Sequence, residues 1–368
     1  MTRDEVRERF RQAERILVVL PMALGDFSYQ HLVLRAVQAA YPGKVWDAMF
    51  DEAFHGNPFH RGGGQLVNPI ICEWAADTGL FRHVYAEMYT GEELAAVMAK
   101  ARAVGYDAVI SLAGRGRLQV AQAAREMAPQ ALIIAWELRG RWWRLGSDTR
   151  AYRAAVDVTV GYRDRTYGHV IEMYADFFRA FADVPVTDWE QVATMRVPVA
   201  AATRAAEVLA GYGRTKKTPV VLVNPFAKNR KRTWPSGHTA RLLACCQQET
   251  RWAQAIWLIN GMPSDRAAVE EMIGKEHFPR TYFFSATEGF WELPAMIAAS
   301  DLVVSVETSV MHLASLLRRP QVALMRQKTP YWRPLRREHC CVLTTPGRRD
   351  TVAAITPERV AAAMRSIK

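Results

Sequence analysis

The stretch SDLVVSVETSVMHLASLLRRPQVAL, residues 300–324, holds a complete strand–turn–helix–strand unit. Leu302-Val303-Val304-Ser305-Val306 is a short apolar run with the length and bounds of a buried parallel strand. Glu307-Thr308-Ser309 follows at once, and apolar residues then recur at helical spacing across 310–317. Arg318-Arg319-Pro320 stops that helix, and residues 321–324 begin the next strand. The turn therefore places an acid and two hydroxyls at a helix N-terminus, beyond the carboxyl end of a strand. In open α/β sheets ligands bind at that end, where backbone N–H groups favour phosphate. A plain N-cap role accounts for Thr308 or Ser309 as well. His312 falls one helical turn after Thr308 and faces the same way.

Working outward, the same alternation fills the chain. Strands are predicted at 16–20, 45–50, 107–112 and 132–137, with helices near 27–41, 92–104, 118–127 and 169–181. The pattern starts again at 220–223 and runs through helix 239–247, strand 255–259, helix 266–273, strand 282–284 and helix 291–299. Such alternation predicts α/β architecture, with parallel sheets wound by helices on both faces. A chain of 368 residues is too long for one ordinary core. The mixed stretch holding Pro185, Pro198, Gly211, Gly213, Lys216, Lys217 and Pro219 supplies the division. It gives a first domain over 1–185, a linker region over 186–218 with a helix near 204–210, and a second domain over 219–368.

Half the residues are hydrophobic and 23% are charged, a globular composition. No apolar run approaches the ~20 residues of a spanning helix, and the charged N-terminus lacks a signal-peptide core. Cys72, Cys245, Cys246, Cys340 and Cys341 show no metal-ligand spacing, which points to a reducing cytoplasm. His55 and His60 lie on a glycine-rich loop without acidic or thiol partners at ligand spacing, so no metal is expected. The formal charge of +11 implies an anionic partner. No RNA-recognition, zinc-finger or helix-turn-helix pattern occurs, so nucleic acid is not that partner.

Several groups carry chemistry. Asp26 follows a strand and the loop Pro21-Met22-Ala23-Leu24-Gly25 and starts a helix, so it is either a well-placed base or an N-cap. Lys228, Arg230, Lys231 and Arg232 directly follow a strand, where they either hold a phosphate or form a solvated loop. Asp265, beyond the strand ending near 259, and Glu288 are lesser candidates, and Phe290 and Trp291 are more simply core. Arg139-Gly140-Arg141-Trp142-Trp143-Arg144 has a charge density no core strand tolerates, so it either holds a phosphorylated glycolipid with the tryptophans at headgroup level or is a helix-packing loop with solvated arginines. Gly114-Arg115-Gly116-Arg117-Leu118-Gln119 lacks the third glycine that a nicotinamide oxidoreductase requires.

Four fragments, in order, resemble glycosyltransferase family 9, the bacterial lipopolysaccharide heptosyltransferases. The family pattern V-V-S-x-D-T-G-x-x-H-L-A matches Thr308 and His312, with Glu307 in place of its Asp and Ser309 in place of its Gly. Ala23-Leu24-Gly25-Asp26 resembles its L-G-D turn, although Ser28-Tyr29-Gln30-His31-Leu32 departs from the T-x-P that usually follows. Residues 107–117 resemble its D-x-V-I-D-L-x-G region. Residues 220–225 with Lys231-Arg232-Thr233-Trp234-Pro235 resemble its N-P-G-A-S-x-x-x-K-x-W-P motif, Arg232 taking the lysine position. The resemblance implies a GT-B fold, two doubly wound Rossmann-like domains facing a central cleft. It further implies an inverting transferase moving a sugar, heptose from ADP-heptose, to a lipopolysaccharide-core or related glycan. Asp26 would be the base. Lys228, Lys231, Arg232, Asp265, Glu307, Thr308, Ser309 and His312 would hold the nucleotide sugar, and Arg115, Arg117, Arg139, Arg141 and Arg144 the anionic acceptor. The chain lacks a D-x-D pair, so cations rather than a metal would neutralise the diphosphate, and no cofactor is needed. The expected setting is cytoplasmic, with peripheral contact at the inner face of the inner membrane. The alternatives are an inactive nucleotide-sugar-binding protein of the same fold and a nicotinamide oxidoreductase.

Overall fold

The computed structural model describes residues 1–55, 70–86, 91–138, 146–161, 167–185 and 187–367, so Arg139, Arg141, Arg144 and His60 lie outside the described residues. The chain separates into two compact units, Met1–Thr187 and Asp188–Lys368.

The first unit contains β1 (Arg15–Leu20), β2 (Val45–Phe50), β3 (His83–Tyr85), β4 (Ala108–Ser111), β5 (Leu132–Trp136) and β6 (Val158–Val160). They form one sheet in the order β3-β2-β1-β4-β5-β6, every pair parallel. The second unit contains β7 (Val220–Asn224), β8 (Ile256–Asn260), β9 (Thr281–Phe284), β10 (Leu302–Val306), β11 (Gln321–Met325) and β12 (Cys340–Thr344), again all parallel, in the order β12-β11-β10-β7-β8-β9. The central strands are valine-, isoleucine- and leucine-rich and buried on both faces, because helices cover each side.

The two sheets share one winding. Each first strand lies beside its fourth, β1 against β4 and β7 against β10, so the connections diverge there. Such a switch point opens a crevice at the carboxyl ends of the strands. Asp26 follows β1 and Arg115 follows β4, while the basic loop follows β7 and Glu307 follows β10. Both candidate clusters thus sit where the winding leaves room for a ligand.

Residues 187–218 are more structured than a linker. They hold the helices Trp189–Val192 and Val199–Gly211, and from Asp188 on they fall within the second unit, with Met195 N donating to Leu316 O at 3.0 Å. Each core centres on its own sheet. In the second, Trp234, Trp252 and Trp257 pack with Leu242, Val304 and Met364.

Candidate functional site

At the switch point of the second sheet, two strands end on asparagine. Asn260 Nδ2 donates to Asn224 Oδ1 at 2.7 Å, and Asn224 Nδ2 donates to Thr308 Oγ1 at 3.0 Å and approaches Ser305 Oγ at 3.3 Å. Both asparagines are buried, so these partners satisfy amides that would otherwise be costly. The result is a polar seam across β8, β7 and β10. Thr308 does occupy the N-cap position of the helix Ser309–Leu316, but its side chain makes no capping bond. Its hydroxyl instead faces Asn224 and Val306 O, so the capping role does not explain it.

The loop after β7 is built rather than loose. Trp234 is wholly buried, with its Nε1 donating to Ile355 O at 2.8 Å and its backbone N to Pro225 O at 2.8 Å. Thr233 closes the turn, its Oγ1 donating to Ala227 O at 3.1 Å and accepting from Ala227 N at 3.2 Å. Asn229 caps the short 3₁₀ turn Arg230–Arg232 by accepting from Lys231 N at 2.9 Å. Lys228 and Lys231 are consequently held out as exposed cations, and Arg232 points inward. Its Nη1 lies 3.5 Å from Glu307 Oε1 and 3.5 Å from Glu307 O.

Glu307 is buried, and Thr329 Oγ1 donates to its carboxylate at 3.1 and 3.2 Å. Burial pushes the Glu307 carboxyl above the ordinary range, while Arg232 and the Thr329 hydroxyl pull it back. The extra methylene of Glu over Asp extends the acid across to the turn after β11. His312 is buried as well, its ring centroid 5.9 Å from that of Trp332. Ser309 is half-buried at the start of its helix. Asp265 folds back on its own turn, accepting from Met262 N at 2.8 Å. A side chain at Gly261 would meet both Asp265 and the Phe226 ring at 3.1 Å, which explains the glycine there. Glu288 is exposed and pairs with Arg204 at 3.1 Å, and Phe290 is core.

In the first unit the helix Leu24–Ala40 begins two residues before Asp26, which therefore lies in its first turn and does not cap it. Tyr174 donates its hydroxyl to Asp26 Oδ1 at 2.5 Å. Buried Asp51 fixes the preceding loop by accepting from Met22 N at 3.1 Å. Burial raises the Asp26 carboxyl to about 6, with the Asp51 charge adding to that rise and Tyr174 opposing it. A carboxylate tuned in this way suits a general base near neutral pH. Ser28, Tyr29, Gln30 and His31 are all buried, so the departure from T-x-P goes into the core. His31 Nδ1 bonds Phe27 O at 2.8 Å, and burial lowers its pKa to about 4, keeping it neutral. Gln30, one turn beyond Asp26, has neither amide atom partnered. Arg115 is exposed, whereas Arg117 donates to Ala113 O at 3.2 Å and Glu137 O at 2.5 Å, tying β4 to β5.

Sequence reasoning missed Asn224, Asn260, Thr329, Trp332 and the hydroxyl role of Tyr174. A signal existed for the first two: Val220-Val221-Leu222-Val223-Asn224 and Ile256-Trp257-Leu258-Ile259-Asn260 are apolar strands that each end on an amide. Among the described residues no group of three or more His, Cys, Asp or Glu is placed to hold a metal. No described helix is long and apolar enough to cross a membrane.

The profile of glycosyltransferase family 9 (heptosyltransferase) matches residues 94–354. No curated protein sequence matches. Solved structures match in fold at low identity. A family 9 glycosyl transferase from Veillonella parvula is 16% identical with a TM-score of 0.74, the match covering 96% of this chain and 97% of that one. ADP-heptose lipopolysaccharide heptosyltransferase II of E. coli is 17% identical with a TM-score of 0.70, covering 96% and 98%. The E. coli heptosyltransferase WaaC with ADP-2-deoxy-2-fluoro heptose is 18% identical with a TM-score of 0.60, covering 95% and 99%. The two parallel sheets are thus those of GT-B heptosyltransferase structures.

Proposed function

The chain belongs to glycosyltransferase family 9, the heptosyltransferase family, and from that premise we propose that it is an inverting, metal-independent enzyme moving heptose from ADP-heptose to a lipopolysaccharide-core or related glycan. The acceptor hydroxyl oxygen bonds to the anomeric carbon as the bond from that carbon to the phosphate oxygen breaks. The proton passes to Asp26, and the nucleoside diphosphate leaves with the bonding electron pair. Arg232 and Lys231 stabilise the charge that develops on it, with Lys228 alongside. The cytoplasmic side of the inner membrane is the corresponding setting.

The observation that carries this reading is Arg232 held against the Glu307-Thr308 turn at the switch point of the second sheet. One solved structure of the same fold holds an ADP-sugar and another holds ADP, which favours ADP-heptose as the first donor to test. Purified protein should release ADP from ADP-heptose only when a heptose-accepting lipopolysaccharide precursor is supplied. Turnover with UDP-glucose and none with ADP-heptose would replace the donor. Release without transfer to any acceptor would replace the reaction.

Thr308→Ala should weaken ADP binding by roughly ten-fold, since a hydrogen bond to a charged group is worth ~1.5–3 kcal/mol. Titration calorimetry giving unchanged affinity would return Thr308 to a purely structural role on Asn224. Transfer should also persist in EDTA. Loss of activity that magnesium or manganese restores would contradict neutralisation by side chains.

A further inference from the structure

Charge is divided unevenly between the two units. Met1–Thr187 contains 22 Lys/Arg and 22 Asp/Glu, whereas Asp188–Lys368 contains 26 and 15, so the entire +11 belongs to the second. A nucleoside diphosphate uses a few cations at the carboxyl ends of the strands, and the loop after β7 supplies them. Many of the others lie at the opposite edge.

Five backbone hydrogen bonds trace that amino edge. They run from Trp257 N to Arg280 O, Ile256 N to Pro219 O, Asp301 N to Val220 O, Val303 N to Pro320 O and Gln321 N to His339 O, all at 2.8–2.9 Å. Exposed cations stand along it: Lys216 and Lys217 before β7, Arg251 before β8, Arg318 before β11 and Arg337 before β12. Strands rise ~3.3 Å per residue, so a five-residue strand keeps these groups about 16 Å from anything bound at its far end.

Helix capping accounts for part of the belt. Arg318 donates to Gln191 O at 2.7 Å, Arg251 to Ile367 O at 2.8 Å, Arg280 to Gly213 O at 2.9 Å and Arg319 to Leu317 O at 3.2 Å. Carbonyls satisfy donors without cancelling charge. The acids nearby are Glu190, paired with Arg337 at 2.8 Å, Asp301, 4.0 Å from Arg214, Glu338, bound to Arg336, and Glu249, paired with Arg365 at 2.6 Å. Lys216 and Lys217 have no carboxylate partner among the described residues.

We propose that the amino edge of the second sheet docks on an anionic bilayer surface. Juxtamembrane cations gain ~1 kcal/mol each from such a surface. One aliphatic side chain borders the belt: Val192, beside the carbonyl that Arg318 holds, is 45% exposed. It suits the headgroup boundary of a membrane. Among the described residues no Phe, Tyr or Trp is exposed to offer the stacking platform that single-stranded nucleic acid uses. The docking depends on charge placement and not on the identity of donor or acceptor.

Co-sedimentation of the full chain with phosphatidylglycerol-containing vesicles and with pure phosphatidylcholine vesicles, at low and high salt, tests this. Binding should require the anionic lipid and disappear at high salt. The double variant Lys216→Glu/Lys217→Glu should weaken it at least about ten-fold while leaving ADP affinity unchanged. Arg348→Glu/Arg349→Glu makes the same change in net charge beyond β12 and should bind vesicles nearly as wild type. Equal losses in both double variants, absence of vesicle binding, or displacement by a single-stranded oligonucleotide at lower concentration than by vesicles would each overturn the assignment. Matching melting temperatures establish that all the variants are folded.

Discussion

Replacing Asp26 by Asn should lower turnover by about 10²–10⁴-fold, the usual contribution of a general base, while nucleotide affinity stays unchanged. Asn keeps the size of the side chain and an oxygen to accept from Tyr174, so what is removed is the proton acceptor. The raised carboxyl fixes the pH dependence. Turnover of the wild type should rise ten-fold per pH unit below about 6 and level off above it, as Asp26 ionises. Stability runs the other way. The folded protein holds its proton more tightly than the unfolded chain, so the Asp26 contribution is fully present below the unfolded pKa near 3.8 and is lost as pH rises through about 6. Asp26→Asn should therefore melt at or above the wild-type temperature at pH 7.5, with the difference shrinking in acid. A variant that melts far earlier, or one that turns over normally, places the base elsewhere.

The double variant Arg232→Ala/Lys231→Ala should reduce turnover by roughly 10²–10³-fold, the cost of removing a positioned donor from a developing anion. The Michaelis constant for the donor should move much less, because the extra phosphate charge appears only as the bond breaks. Arg232→Ala alone should give a smaller loss, since exposed Lys231 remains beside it. Steady-state kinetics with equal turnover in wild type and double variant would assign the loop to the solvated surface.

The doubly wound plan was legible because its central strands are short apolar runs that alternate with amphipathic segments. The edge strands β3, β6 and β12 were not. His83–Tyr85 and Val158–Val160 have only three residues each, and Cys340–Thr344 is only half-buried, so no periodicity marks them. The helix Val199–Gly211 reaches further than the stretch 204–210, because alanine-rich turns carry little hydrophobic pattern. At the site, residue types next to a strand end could be found, but their partners could not. Tyr174 meets Asp26 from 148 positions away, and Thr329 meets Glu307 from 22. Tyr174 also sits at core spacing in its helix and packs there, which concealed the second use of its hydroxyl. The N-cap reading of Asp26 failed for a local reason, since the helix starts earlier, at Leu24.

The indole of Trp234 reaches 121 positions along the chain to the carbonyl of Ile355, just before the helix Pro357–Ser366. That helix also contributes Val360, Ala361 and Met364 to the core beneath the basic loop. A late nonsense mutation, or a protease cut near residue 352, would leave every candidate site residue in the product. It would still remove the acceptor that anchors Trp234 and part of the floor on which the loop stands. Truncations that remove Ile355 and the helix after it should thus resemble active-site alleles in phenotype, because the cations of the loop after β7 are held in place by a segment more than 100 residues further along the chain.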